Sequence, residues 1–264
     1  LTSNPPIFLI TLPQKNEEVF ATISFEYGRA FEVSDDYGLG HLAEHIIISE
    51  LRRKLPNADV SGTNTLDRIT FNLTSSLKRD ELVEFIDTIF NPKFNSLDIF
   101  NSEKSAITHE LKTYLLNVQT KMFDEIFKKR FANNCPLSRT YRDELVSLEK
   151  ALLPSVKKYF FEKVLCGKSM ITVGSNQTES IRNELKLKQG NLARIPRERT
   201  NRQCNFSGKL IDRVTDTGLE ELSMVAITFP GLSRLDDVSE RRCLNNICRL
   251  ICSYNEFGAR SSIL

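Results

Sequence analysis

Histidine is scarce in this chain, with three in 264 residues, and several other features that would steer a functional reading are missing. No run of about 18 apolar residues occurs, which excludes a membrane-spanning helix. Neither sign of charge dominates: 36 Lys and Arg against 34 Asp and Glu leave a formal net charge of +2, which points neither to nucleic acid nor to an acidic membrane surface. The start, LTSNPPIFLITLP, has no basic leader and no small-residue cleavage site, so it does not read as a secretory signal. The expected location is cytoplasmic, or an organelle matrix if a targeting segment precedes Leu1. No CxxC pair is present, and six cysteines in a chain of this length do not make a disulfide framework; the usage suits a reducing compartment. Cys243, Cys248 and Cys252 lie close together, but no histidine accompanies them. Cys248 and Cys252 share a face of a helix expected over 238–254 and read as core rather than as a metal site. Three sequons, beginning at Asn72, Asn176 and Asn205, carry little weight without secretion.

What is present is enough hydrophobic residue, 40%, for a real core, in a chain long enough for one large or two ordinary domains. Residues 7–11 and 18–27 read as strands. Residues 38–54 carry Leu39, Leu42, Ala43, Ile46, Ile47 and Leu51 at helical spacing. Strands are expected over 58–65 and 68–76, and an amphipathic helix from 79 to its stop at Pro92. One long helix or two abutting ones should fill 96–132, with Ser96 as N-cap. A further helix over 143–165 is interrupted at Pro154, a strand follows at 169–175, and a helix at 178–188. Residues 189–207 are polar and basic without periodicity and read as a linker between domains. Arg194, Arg197, Arg199 and Arg202 fall in it, but no aromatic platform accompanies them, so nucleic acid is not expected as a partner. After the linker a strand, turn and helix echo the opening of the chain. The expected organisation is a first domain over 1–188 and the beginning of a second, homologous domain over 208–264.

Two of the three histidines sit four residues apart in DDYGLGHLAEHIIISEL, residues 35–51. On a helix, positions four apart share a face, so His41 and His45 can present two imidazoles to one ion. Glu44 lies near that face and can hold a water over the open position of the metal. This is H-x-x-E-H, the inverse of the commoner zinc signature H-E-x-x-H. A third ligand is needed, and His109 and Glu110, adjacent in NSEKSAITHELKTYL, are both candidates. Glu103 lies two helical turns before Glu110 and is placed to orient a ligand from the outer shell.

At these residues the chain resembles the pitrilysin and insulinase family of inverted-zinc metallopeptidases, to which the mitochondrial processing peptidases are related. GLGHLAEH is similar to the family's G-L-x-H-x-x-E-H, and SEKSAITHELK to its E-x-x-x-x-x-x-E helix. YGRAFE, VSGTNTLDRITF and the segment from Pro136 to Ser175 resemble flanking family segments. The resemblance implies an α+β fold, a mostly antiparallel sheet with helices packed on it, followed here by the start of a second half. It implies Zn2+ held by His41, His45 and Glu110, with Glu44 as general base and Glu103 in support. It implies a zinc endopeptidase that takes small peptides or unfolded segments in extended form beside an edge strand, working as a homodimer or as a heterodimer with another subunit of this kind. A non-catalytic assembly subunit is the alternative. Where the family has Asn-Ala on the substrate strand this chain has Ser61-Gly62; the backbone contact survives, and Asn64 is the candidate to supply the lost amide.

Overall fold

The computed structural model describes residues 7–11, 18–76, 79–131, 135, 138–176 and 181, all within one compact unit. The linker expected at 189–207, the second strand–turn–helix, the clustered Cys243, Cys248 and Cys252, and all but Ile181 of the helix expected over 178–188 lie outside these residues.

Five strands form one sheet: β1 (Ile7–Thr11), β2 (Glu18–Phe25), β3 (Asp59–Asn64), β4 (Ile69–Ser76) and β5 (Ser169–Ser175). Their order is β1-β5-β2-β4-β3; only the β1–β5 pair is parallel. Alternation decides the faces. Val19, Ala21, Ile23 and Phe25 of β2, and Ile69, Phe71 and Leu73 of β4, are buried. On the other face Phe20 is exposed, while polar residues pair across strands, Thr22 Oγ1 donating to Asn72 Oδ1 at 3.0 Å and Ser24 Oγ meeting Thr70 Oγ1 at 3.1 Å.

On the apolar face pack α1 (Leu39–Lys54) and α2 (Arg79–Phe90). The buried stripe of α1 contains all six apolar positions expected from its periodicity, and Arg52, Arg53 and Lys54 fill its last turn, where cations complement the helix dipole. Phe25 ties sheet to helices, its ring centroid 5.5 Å from Phe90 and 6.2 Å from Phe160. The expected long helix is two: α3 (Leu97–Leu116) and α4 (Val118–Arg130). They part at Asn117, whose side chain caps α4 by accepting from Thr120 N–H. Ser96 caps α3 as expected, accepting from Ile99 N–H at 3.2 Å.

The helix expected over 143–165 also divides, into α5 (Tyr141–Lys150) and α6 (Leu153–Tyr159), with a π turn over Phe160–Val164. Pro154 does not interrupt a helix; it falls in the first turn of α6, where its missing N–H costs nothing. Cys166 is free, and Cys135 is buried and disulfide-bonded. With one parallel pair the sheet is mixed and mostly antiparallel, and the α+β architecture with helices packed on it is as expected.

Candidate metal centre

The site begins with the way α1 starts. Gly38 caps it at φ 79°, a left-handed conformation that side chains disfavour. The first turn of any helix leaves N–H groups without intrahelical partners. Here two side chains from outside the helix take them. Glu32 accepts from Gly38 N–H through Oε2 and from Gly40 N–H through Oε1, both at 3.1 Å. Asn64, with its amide turned to satisfy both groups, accepts from His41 N–H at 2.9 Å and donates to Thr65 O at 3.3 Å. The helix carrying both histidines is thereby pinned at its first turn to β3 and to the segment before it.

Glu32 is itself buried. Arg139 donates to its Oε2 at 3.0 Å and Tyr159 hydroxyl to its Oε1 at 3.3 Å, so all four groups around the carboxyl are donors. Burial and the nearby Glu144 push its carboxyl up to about 7, while Arg139 and the two backbone N–H groups oppose them. The Arg139 guanidinium also lies 3.2 Å from the centroid of the Tyr37 ring, which covers the pair.

One turn into α1, the His41 and His45 rings stand edge to face, centroids 4.9 Å apart. Glu110 on α3 faces them. Its Oε2 is 3.8 Å from Nε2 of each ring, and the three donor atoms lie within 4.8 Å of one another. A tetrahedral zinc at about 2.1 Å from two ligands separates them by about 3.4 Å. The two gaps to Glu110 need about 0.4 Å of closure to reach that separation, and the three donor types are those zinc takes, so this donor set fits such an ion. His109, the other candidate third ligand, is exposed on α3 and outside this group. One turn past Glu110, Tyr114 stands near its carboxylate, which together with burial pushes the phenol up to about 12.

Each imidazole has a carboxylate on its other nitrogen. His45 Nδ1 meets Glu103 Oε2 at 3.2 Å, and His41 Nδ1 meets Glu144 Oε1 at 3.1 Å. Burial lowers His41's affinity for a proton, but the bond to Glu144 and the surrounding carboxylates outweigh it and leave the pKa raised. For His45, burial and the His41 charge prevail over Glu103 and Glu110 and leave it lowered.

Glu44 stands beside the three donors without belonging to them, its Oε2 4.0 Å from His45 Nε2. It is buried, and burial pushes its carboxyl up to about 7 against the pull of His41. Its other oxygen lies against Gly62 of β3, where a Cβ would come within 2.0 Å of it. Any side chain at position 62 therefore collides with Glu44.

The residues expected at the site divide accordingly. His41, His45, Glu110, Glu44 and Glu103 are brought together. Gly62 also reaches the centre, as the wall behind Glu44. Ser61 does not: it pairs with Asn72, on the polar face of the sheet. Asn64 is close, and its amide is engaged with α1 and Thr65. Nothing in the sequence marks Glu144 or Arg139 for the centre. Glu32 falls in the YGRAFE segment, but its bonds to α1 follow only from the fold.

No protein-family model matches the chain, and no curated protein does. Solved structures do, at low identity. A chain of Complex III2 from Candida albicans, Inz-5 bound, aligns with a TM-score of 0.60 and 15% identity over 79% of this chain and 49% of its own. A protease from Helicobacter pylori aligns with a TM-score of 0.60 and 14% identity over 78% of this chain and 54% of its own. A peptidase M16 inactive domain from Pseudomonas fluorescens gives 0.58 and 12%, over 78% and 53%. The chain thus spans about half the length of the solved chains it matches. The fold of the described residues is that of an M16 peptidase-like half, the pitrilysin-like architecture.

Proposed function

We propose that this chain is the metal-bearing half of a zinc endopeptidase acting on small peptides or unfolded segments. The observation that carries the reading is the convergence of His41 Nε2, His45 Nε2 and Glu110 Oε2, with the Glu44 carboxylate beside them and outside the set. Zinc, when bound, supplies a Lewis acid that lowers the pKa of a water toward about 7 and polarises the scissile carbonyl. Glu44 takes the water's proton at Oε2, the oxygen turned toward the centre, and returns it to the nitrogen of the departing amine. Gly62 and the wall of β3 hold Glu44 in that position. Because β3 ends the sheet and pairs only with β4 among the described residues, its outer edge can take a peptide in extended form.

Two measurements on the full chain test the reading: zinc content, and cleavage of an unstructured peptide mixture with and without a chelator. One zinc per chain and chelator-sensitive cleavage are expected. Absence of stoichiometric zinc overturns the reading. A second reading, a non-catalytic subunit that assembles with a peptidase of the same fold, draws on the similarity to a chain of Complex III2 and to an inactive M16 domain. Zinc binding without any peptide cleavage, alone or as a homodimer, favours that reading over the first.

A further inference from the structure

We infer that Glu144 is a positioning residue of the centre: it accepts a hydrogen bond from His41 Nδ1–H and so fixes which nitrogen of that ring faces Glu110. The inference rests on the reading of the site as a metal centre and adds a member to it from a helix that carries no ligand.

The geometry begins in α5. Thr140 and Asp143 form a reciprocal capping box at its start, which fixes the first turn. Glu144 occupies that turn, where the helix dipole favours a carboxylate. From there its side chain reaches back across 103 residues of sequence to His41 Nδ1, at 3.1 Å. A carboxylate only accepts hydrogen bonds. The proton between the two groups therefore sits on Nδ1, which leaves the Nε2 lone pair directed at the point shared with His45 and Glu110.

The arrangement is held from several sides. Burial pushes Glu144 up, but the bond and charge of His41, with Arg29 and Arg139, outweigh it and keep the carboxyl below its ordinary value. Gly38 stands behind it: a Cβ there would come within 2.9 Å of Glu144 Cγ. The residue that lets α1 begin thus also leaves the space in which Glu144 reaches His41. Glu144's side chain is 7% exposed, so removing the carboxylate leaves a largely buried Nδ1–H without its partner.

The test uses the full chain as parent, E144A, E144Q and E144M. With three histidines in the protein, a histidine-selective nitrogen-15 spectrum carries three ring systems and His41 can be assigned by substitution. The metal-free parent should show a solvent-protected Nδ1–H on His41. E144A should lose it, and E144Q, whose amide oxygen still accepts, should keep it. Zinc affinity from chelator competition should fall about 10–100-fold in E144A and return to within a few-fold of the parent in E144Q. The absorption spectrum of the cobalt-substituted protein should change in E144A, recover in E144Q and stay changed in E144M, which fills the space without an acceptor; a loss of packing alone would let E144M recover. A parent in which His41 carries no protected Nδ1–H overturns the inference, whether or not any variant folds. So does an E144A protein that binds zinc within twofold of the parent. A parent that binds no zinc but shows the protected Nδ1–H overturns the metal reading and upholds the pairing.

Discussion

The two imidazoles of the centre are held in unlike ways. His45 is 25% exposed and leans on Glu103, itself 20% exposed and on the same helix as Glu110. His41 is 16% exposed and leans on Glu144, 7% exposed, from a separate helix. The first side is one helix supplying both a ligand candidate and its support. The second is assembled from three other segments of the chain, since Glu32 and Asn64 bond the first turn of α1 and Glu144 bonds His41 itself. Solvent can partly replace a lost bond on the His45 side. On the His41 side a lost partner leaves a buried polar group unpaired, which costs about 1–3 kcal/mol and more when the group is charged.

The strongest test of the comparison removes the imidazoles themselves. H41A and H45A should each empty the site, read as loss of zinc by metal analysis; H41A should also unfold at lower urea, because it leaves Glu144 buried without its partner. Equal urea midpoints for the two variants would erase the distinction between the sides. E44Q should leave zinc content unchanged on both and lower peptide turnover about 10²–10⁴-fold. Turnover at the parental rate would remove Glu44 from the chemistry.

G62A probes the wall behind Glu44. Its Cβ would overlap Oε1, so turnover should fall while zinc stays bound; a variant as active as the parent would mean the carboxylate has other room. A smaller effect is expected from E103A. The exposed side should lose zinc affinity by about tenfold, at the low end of the range for outer-shell partners, and by less than E144A. The reverse order, measured by the same chelator competition, would show that exposure does not govern the difference.

The smallest effect is on stability against pH in chelator-treated protein. Burial raises Glu44 to about 7 from 4.5, so between these values the folded chain keeps a proton that the unfolded chain has released. The stability this group contributes is complete below about 4.5 and is lost as pH rises through about 7. His41, also raised, acts in the same direction, its contribution falling away above its unfolded value of about 6.5. Urea midpoints should decline across this window, less steeply in E44Q. A midpoint that climbs instead would contradict the burial of Glu44.

Much of the fold is legible from local pattern. The buried stripe of α1, the Ser96 cap of α3 and the alternation in β2 and β4 each depend on residues a few positions apart. Within the site, His41, His45 and Glu44 lie on one helix, and Glu103 and Glu110 on another. Within each helix their mutual orientation follows from helical spacing. Local pattern says less where the chain folds back on itself. The strand β3 brings the Asn64 amide to the first turn of α1. Pro154 looks like an interruption until α6 is seen to begin around it. His109 and Glu110 are both candidates on position alone; the rotation of α3 against α1 turns His109 outward and Glu110, the ligand the resemblance implied, toward the histidines.

The sequence by itself determined the chemistry available: two imidazoles and a carboxylate within one helical turn, because the helix repeat makes residues at that spacing neighbours whatever surrounds them. Only the tertiary structure decided how that turn is held. Glu32, Asn64 and Glu144 reach it from three different segments, and hydrogen bonds between parts so distant in sequence are specified by packing and by the need to pair buried polar groups, not by any local pattern.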